Sequence, residues 1–147
     1  MKKQAYILIS IMVLFGCMAV SARAQCGGMP TVTNIPFEFS TGKATLPAGE
    51  YKLSCLDPNG RLVLISSTDG KTKAAMQMVQ VSDRSQADAR LLFHRYGRRY
   101  FFVQAWAGGN TGLQLPTTHS ERSVLRELAG IKPVTAKPEL IVLTARR

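Results

Sequence analysis

The chain has 147 residues, with 19 Lys and Arg against 9 Asp and Glu and a formal net charge of +10 at neutral pH. That length suits one domain with a real core. Two His and three Cys, none at metal-ligand spacing, speak against a metal centre, and no cofactor is expected.

The first residues read as an export signal rather than as fold. Lys2 and Lys3 are followed by an apolar run over residues 5–20, and Ser21-Ala22-Arg23-Ala24 has the small-x-small pattern of a cleavage site. This divides the chain into a signal peptide, residues 1–24, and a single all-β domain, residues 25–147. The apolar run is shorter than the roughly 20 residues a membrane helix needs, so no transmembrane span is expected after cleavage. Leu14-Phe15-Gly16-Cys17 is a rival: it is similar to a lipobox, which would leave the protein anchored through a lipidated Cys17. The bulky Phe15 departs from that pattern. Cleavage after Ala24 removes three cations and leaves 16 basic against 9 acidic side chains, a net +7.

The expected destination is therefore the periplasm or the extracellular medium, where nucleic acid is not an expected partner. A basic chain there is drawn to anionic envelope components, or its charge simply aids solubility. Cys26 and Cys55 remain as an even pair in a compartment that permits disulfides. Bridging them would contribute roughly 3 kcal/mol by chain entropy.

Residues 25–30 read as an arm. Residues 32–40 alternate, with Ile35, Phe37 and Phe39 on one face, and Pro36 marks an edge strand because it lacks a ladder donor. Thr41-Gly42-Lys43 turns the chain into residues 44–55, which bend at Pro47-Ala48-Gly49 before Tyr51, Leu53 and Cys55 alternate. Asp57-Pro58-Asn59-Gly60 matches a type I turn. A short apolar strand over 61–66, a turn over 67–70, a strand over 71–81 and a polar loop over 82–88 follow.

Leu91 to Trp106 holds three of the six Phe, two of the four Tyr and the only Trp. It reads as a β-hairpin with a two-residue turn at Gly97-Arg98, setting Tyr96 opposite Arg99, His94 opposite Phe101 and Phe93 opposite Phe102. One face would carry Leu92, His94, Tyr96, Phe101, Val103 and Ala105, and the other Leu91, Phe93, Arg95, Tyr100, Phe102 and Trp106. Two largely apolar faces fit a central position in a curved sheet.

Residues 107–116 read as a Gly-rich loop. Thr118-His119-Ser120-Glu121 is a T-x-x-E capping box opening a helix whose apolar stripe is Val124, Leu125 and Leu128, stopping at Gly130. A Pro-broken linker leads to a last strand over 139–145. The sum is a mainly β fold of about seven strands, either a small antiparallel barrel or a curved sandwich, with one α-helix in the C-terminal half.

Chemistry needs converging groups, and few are visible. His119 sits beside Ser120 and Glu121, but neighbours on a helix point in different directions, and capping accounts for Thr118 and Glu121. His94, on a strand, reads as a packed or partly exposed ring. Gly108-Gly109-Asn110-Thr111-Gly112 lacks the lysine and strand–loop–helix setting of a phosphate loop. The remaining feature is cationic and aromatic: Arg95, Tyr96, Arg98 and Arg99 at the hairpin tip could form an anion or partner surface.

The order of Ile35-Pro-Phe-Glu-Phe39, Leu46-Pro-Ala-Gly-Glu-Tyr51, Phe93-His-Arg-Tyr-Gly97 and Leu140-Ile-Val-Leu-Thr-Ala145 behind a signal peptide resembles a set of short exported bacterial proteins of unknown function. The resemblance covers most of the mature chain and implies export and an all-β domain. It assigns no site. The expectation is a non-catalytic binding or structural component of the envelope, partnered by an anionic component or another exported protein. The alternative is a small secreted hydrolase using His94 or His119.

Overall fold

A computed structural model describes residues 31–57, 59–83, 88–131 and 137–146. The expected signal peptide, its rival at Cys17, and Cys26 lie outside the described residues. Those described form eleven strands and one helix, in the order β1 (Thr31–Ile35), β2 (Phe39–Thr41), β3 (Ala44–Leu46), β4 (Gly49–Cys55), β5 (Leu62–Ser67), β6 (Lys73–Gln77), β7 (Val79–Ser82), β8 (Ala89–Tyr96), β9 (Arg99–Ala107), β10 (Thr111–Gln114), α1 (His119–Ile131) and β11 (Glu139–Thr144).

The strands make two sheets, one of four strands ordered β1-β4-β5-β6 and one of seven containing β11-β8-β9-β10-β7 with the β2–β3 hairpin attached. The sheets do not close into a barrel, so the sandwich form of the expected fold is the one found. They are joined at two corners. The β6 and β7 strands are almost continuous, interrupted at Met78 as the chain passes from one sheet to the other, and Val32 bridges Arg146 beyond the end of β11.

The strand count exceeds the expected seven for local reasons. Pro36 breaks residues 32–40 into β1 and β2, as Pro47 separates β3 from β4. Each Pro lacks a ladder donor, and it ends one pairing where the chain can enter another. The bend expected at 47–49 lies between β3 and β4. The expected loop over 107–116 contains β10, which a Gly-rich composition concealed. Gly112 is needed there because Trp106, its cross-strand partner, lies over it: a Cβ at Gly112 would meet the indole at 2.6 Å. The Asp57 turn closes as expected, with Gly60 N–H donating to Asp57 O at 3.2 Å and Leu62 N–H to Asp57 Oδ1 at 2.7 Å.

The hairpin pairs as read near its turn: Tyr96 with Arg99, His94 with Phe101, Phe93 with Phe102. Gly97 takes φ 62°, a conformation that favours glycine. Further from the turn Leu92 pairs with Gln104, so Val103 is an extra, bulged residue. Because side chains alternate, the extra residue reverses the faces beyond it. Ala105 therefore joins the core, and Trp106 lies on the opposite face with Gln104, to which its indole N–H donates at 3.2 Å. This corrects the expected assignment of those two residues.

The core lies between the sheets. Tyr51, Leu53, Val63 and Ile65 from the four-stranded sheet meet Phe39, Leu91, Phe93, Phe102 and Ala105 from the seven-stranded one. Phe93 is 0% exposed and sits edge-on to Phe37, Phe39 and Phe102 at centroid distances of 5.3, 5.4 and 5.5 Å. The outer face of the seven-stranded sheet has its own smaller core, where Tyr96 and Phe101 receive Val124, Leu125 and Leu128 of α1. That is the apolar stripe read from the sequence. The hairpin is thus central, buried on one face by a sheet and on the other by a helix.

Candidate functional site

Among the described residues, a buried cluster of converging ionisable side chains lies where α1 meets the outer face of β8. Its geometry begins with the helix start. Thr118 Oγ1 accepts the Glu121 N–H at 3.2 Å, and Thr118 O accepts the Arg122 N–H at 3.0 Å. This supplies one half of the expected capping box. The other half is replaced: the Glu121 side chain turns toward the sheet and accepts hydrogen bonds from β8.

Glu121 is 4% exposed. Its Oε1 accepts from His94 Nδ1 at 2.7 Å and from the Tyr96 hydroxyl at 3.0 Å. With a carboxylate as acceptor, the proton of this contact belongs on His94 Nδ1, which leaves Nε2 as the ring's other polar atom. Residues 94 and 96 share a face because strand side chains alternate. Two donors on an otherwise apolar face need an acceptor from whatever covers them. The helix provides it one turn before Val124 and Leu125. That pairing of needs was the available sequence signal, and the T-x-x-E pattern obscured it by assigning Glu121 to its own backbone.

Burial is the main reason the Tyr96 hydroxyl is held above the ordinary tyrosine range, followed by the charge of Glu121 and the hydrogen bond to it. Tyr51 is raised as well, chiefly by burial and secondarily by Asp69. Below the ordinary tyrosine pKa of about 10 both states of the chain hold these protons. Above it the unfolded chain releases them first, so stability falls as pH rises through that range. We expect Tyr96→Phe to flatten this alkaline loss, read as denaturation midpoints across the alkaline range. An unchanged slope would mean that Tyr96 does not resist ionisation.

An imidazole oriented by a carboxylate is half of an acid–base device. Among the described residues, His94 is hydrogen-bonded to Glu121 and to no nucleophile, so the other half of such a device is not assembled there. The Ser120 hydroxyl turns away to donate to Gly42 O at 3.3 Å. His119 is exposed and, with Ser120, Ser40, Lys43 and Thr45, lines a surface hollow of about 340 Å³, and the described residues of its lining include no carboxylate. Among the described residues no group of three or more His, Cys, Asp or Glu could hold a metal ion.

The four residues expected to form an anion surface have different fates. Arg95 donates to Glu139 at 3.1 Å and to Gly97 O at 2.9 Å, and its guanidinium lies 5.7 Å from the Tyr100 ring centroid. Arg99 donates to Glu127 at 2.9 Å. Tyr96 is buried under the helix. Arg98 is exposed and has no acidic partner among the described residues. Sequence reading missed two further cations, Arg122 and Arg126. They lie four apart, both exposed, away from the docked stripe.

Cys55 is disulfide-bonded, while Cys26, its expected partner, lies outside the described residues. No helix among the described residues is long and apolar enough to cross a membrane. Comparison with known proteins finds no matching family model, curated protein or solved structure.

Proposed function

We infer that the protein is an exported, non-catalytic β-domain that binds an anionic component of the cell envelope. One observation carries this reading: both acidic residues of α1 are engaged by the hairpin beneath it, Glu121 by His94 and Tyr96 and Glu127 by Arg99. Docking in this way neutralises or buries the helix's negative charge and leaves Arg122 and Arg126 facing solvent. The hairpin and helix become a rigid base for outward positive charge. The signal-like start of the sequence and the disulfide at Cys55 support the export half of the proposal, since disulfides belong to oxidising compartments. The likeness to short exported bacterial proteins points the same way.

The expected result is retention of the purified protein on an immobilised anionic polysaccharide at low salt, with release as salt rises. Exposed charges are largely screened beyond about 8 Å at physiological ionic strength. Passage straight through the resin at low salt, or retention indifferent to salt, would remove the proposal.

A second reading, a small secreted hydrolase, is favoured by the 2.7 Å contact that orients His94 on Glu121. It requires ester or peptide hydrolysis that a folded His94→Gln variant loses by about 100-fold or more. Hydrolysis unaffected by this change removes His94 as its base.

A further inference from the structure

Two kinds of exposed side chain occur on and around α1 and the outer face of the seven-stranded sheet that it covers. The first is cationic. Arg122 and Arg126 stand on the solvent side of α1, Lys43 lies beside the helix start at the hollow it shares with His119 and Ser120, and Arg98 occupies the hairpin turn. The Arg99–Glu127 contact, at 2.9 Å, holds that turn against the third turn of the helix. None of these four cations has an acidic partner among the described residues.

The second kind is aliphatic. In β11, Leu140 pairs with His94 and Val142 with Leu92, so both share the face of His94, the face that α1 covers. They are 53% and 48% exposed, while their neighbours Ile141 and Leu143 pack inward against the core. Glu139, at the start of the same strand, is matched by Arg95.

We propose that this face is a peripheral membrane-binding surface for anionic phospholipid, with Arg122, Arg126, Lys43 and Arg98 meeting the headgroups and Leu140 and Val142 settling at the acyl boundary. The proposal rests on the anion-binding reading and gives it a partner. The cations are spread over a helix ridge and a hairpin turn, where they do not converge on a point. A small anion needs converging donors, whereas a lipid surface offers many mobile headgroups that can come to separated charges. Exposed aliphatic side chains beside the cations gain from an interface with hydrocarbon and gain nothing from a polysaccharide.

The test is cosedimentation of the purified protein with vesicles of phosphatidylcholine alone or mixed with phosphatidylglycerol, at low and moderate salt. The protein should bind the anionic vesicles, and added salt should weaken it. At roughly 1 kcal/mol for each basic residue near such a surface, each arginine is worth about fivefold, so Arg122→Ala/Arg126→Ala should weaken binding about 25-fold. Both positions are exposed and alanine favours helix, so the variant should fold, which circular dichroism checks. Leu140→Ser/Val142→Ser should lower the binding that survives moderate salt. Equal binding to neutral and anionic vesicles, or an arginine variant that binds as the parent does, overturns the proposal. If the parent ignores anionic vesicles but is held by the anionic polysaccharide, the membrane assignment fails and the broader reading stands. If it ignores both, the two fail together.

Discussion

Replacing Phe93 by alanine should destabilise the fold by about 4 kcal/mol, within the range of about 3–5 for emptying a buried aromatic site. Phe93 has no solvent exposure and stands at the centre of the core, edge-on to Phe37, Phe39 and Phe102. Those three rings reach it from different parts of the chain: Phe37 from the link after β1, Phe39 from β2 and Phe102 from the far arm of the hairpin. Phe39 also meets Tyr51 of β4 edge-on at 5.3 Å, which carries the contact across to the other sheet. Removing the Phe93 ring therefore loosens the junction between the sheets. Phe93→Leu should cost less than Phe93→Ala, because it refills part of the volume. Urea denaturation measures both, and a loss under about 1 kcal/mol for Phe93→Ala would mean that the core collapses readily around the site.

How much of this could be read beforehand divides along physical lines. The register near the turn was legible because a two-residue turn with glycine fixes its own pairing, and the pairs from Phe93–Phe102 to Tyr96–Arg99 follow from it. The bulge at Val103 was not legible. No residue there lacks a donor or demands a positive φ; the insertion is set by tertiary demands. The helix's apolar stripe was legible from spacing alone, since Val124, Leu125 and Leu128 obey helical periodicity and pack as a group.

The site was only half legible. Glu121 meets two demands at once: it lies where a capping box wants an acid and where the sheet's buried donors want an acceptor. The second need is non-local, since it links residues 25 and 27 positions apart. The fate of the arginines is hidden for the same reason. Arg95, Arg98 and Arg99 look alike along the chain, and only the partners brought by β11 and α1 separate Arg98 from the other two.

Glu121→Ala should cost about 3 kcal/mol and release the helix from the sheet. The carboxylate receives two hydrogen bonds in a nearly water-free site. Hydrogen bonds to charged groups are worth about 1.5–3 kcal/mol, and a buried donor left without a partner costs about 1–3. The two donors are not equally exposed to that loss. The His94 side chain is 27% exposed, so water can replace Glu121 there. The Tyr96 hydroxyl lies deeper, under α1, and most of the penalty should fall on it. Glu121→Gln keeps an acceptor oxygen in nearly the same shape and should recover more than half the stability. Tyr96→Phe removes the stranded donor, so the double variant with Glu121→Ala should be less destabilised than the two single losses summed. The coupling of directly bonded groups is typically about 0.5–3 kcal/mol. Purely additive losses, or a Glu121→Ala protein within about 0.5 kcal/mol of the parent, would show that α1 is held by its apolar stripe alone. A measured coupling would make Glu121 the bolt between helix and hairpin, and with it the support on which the outward arginines stand.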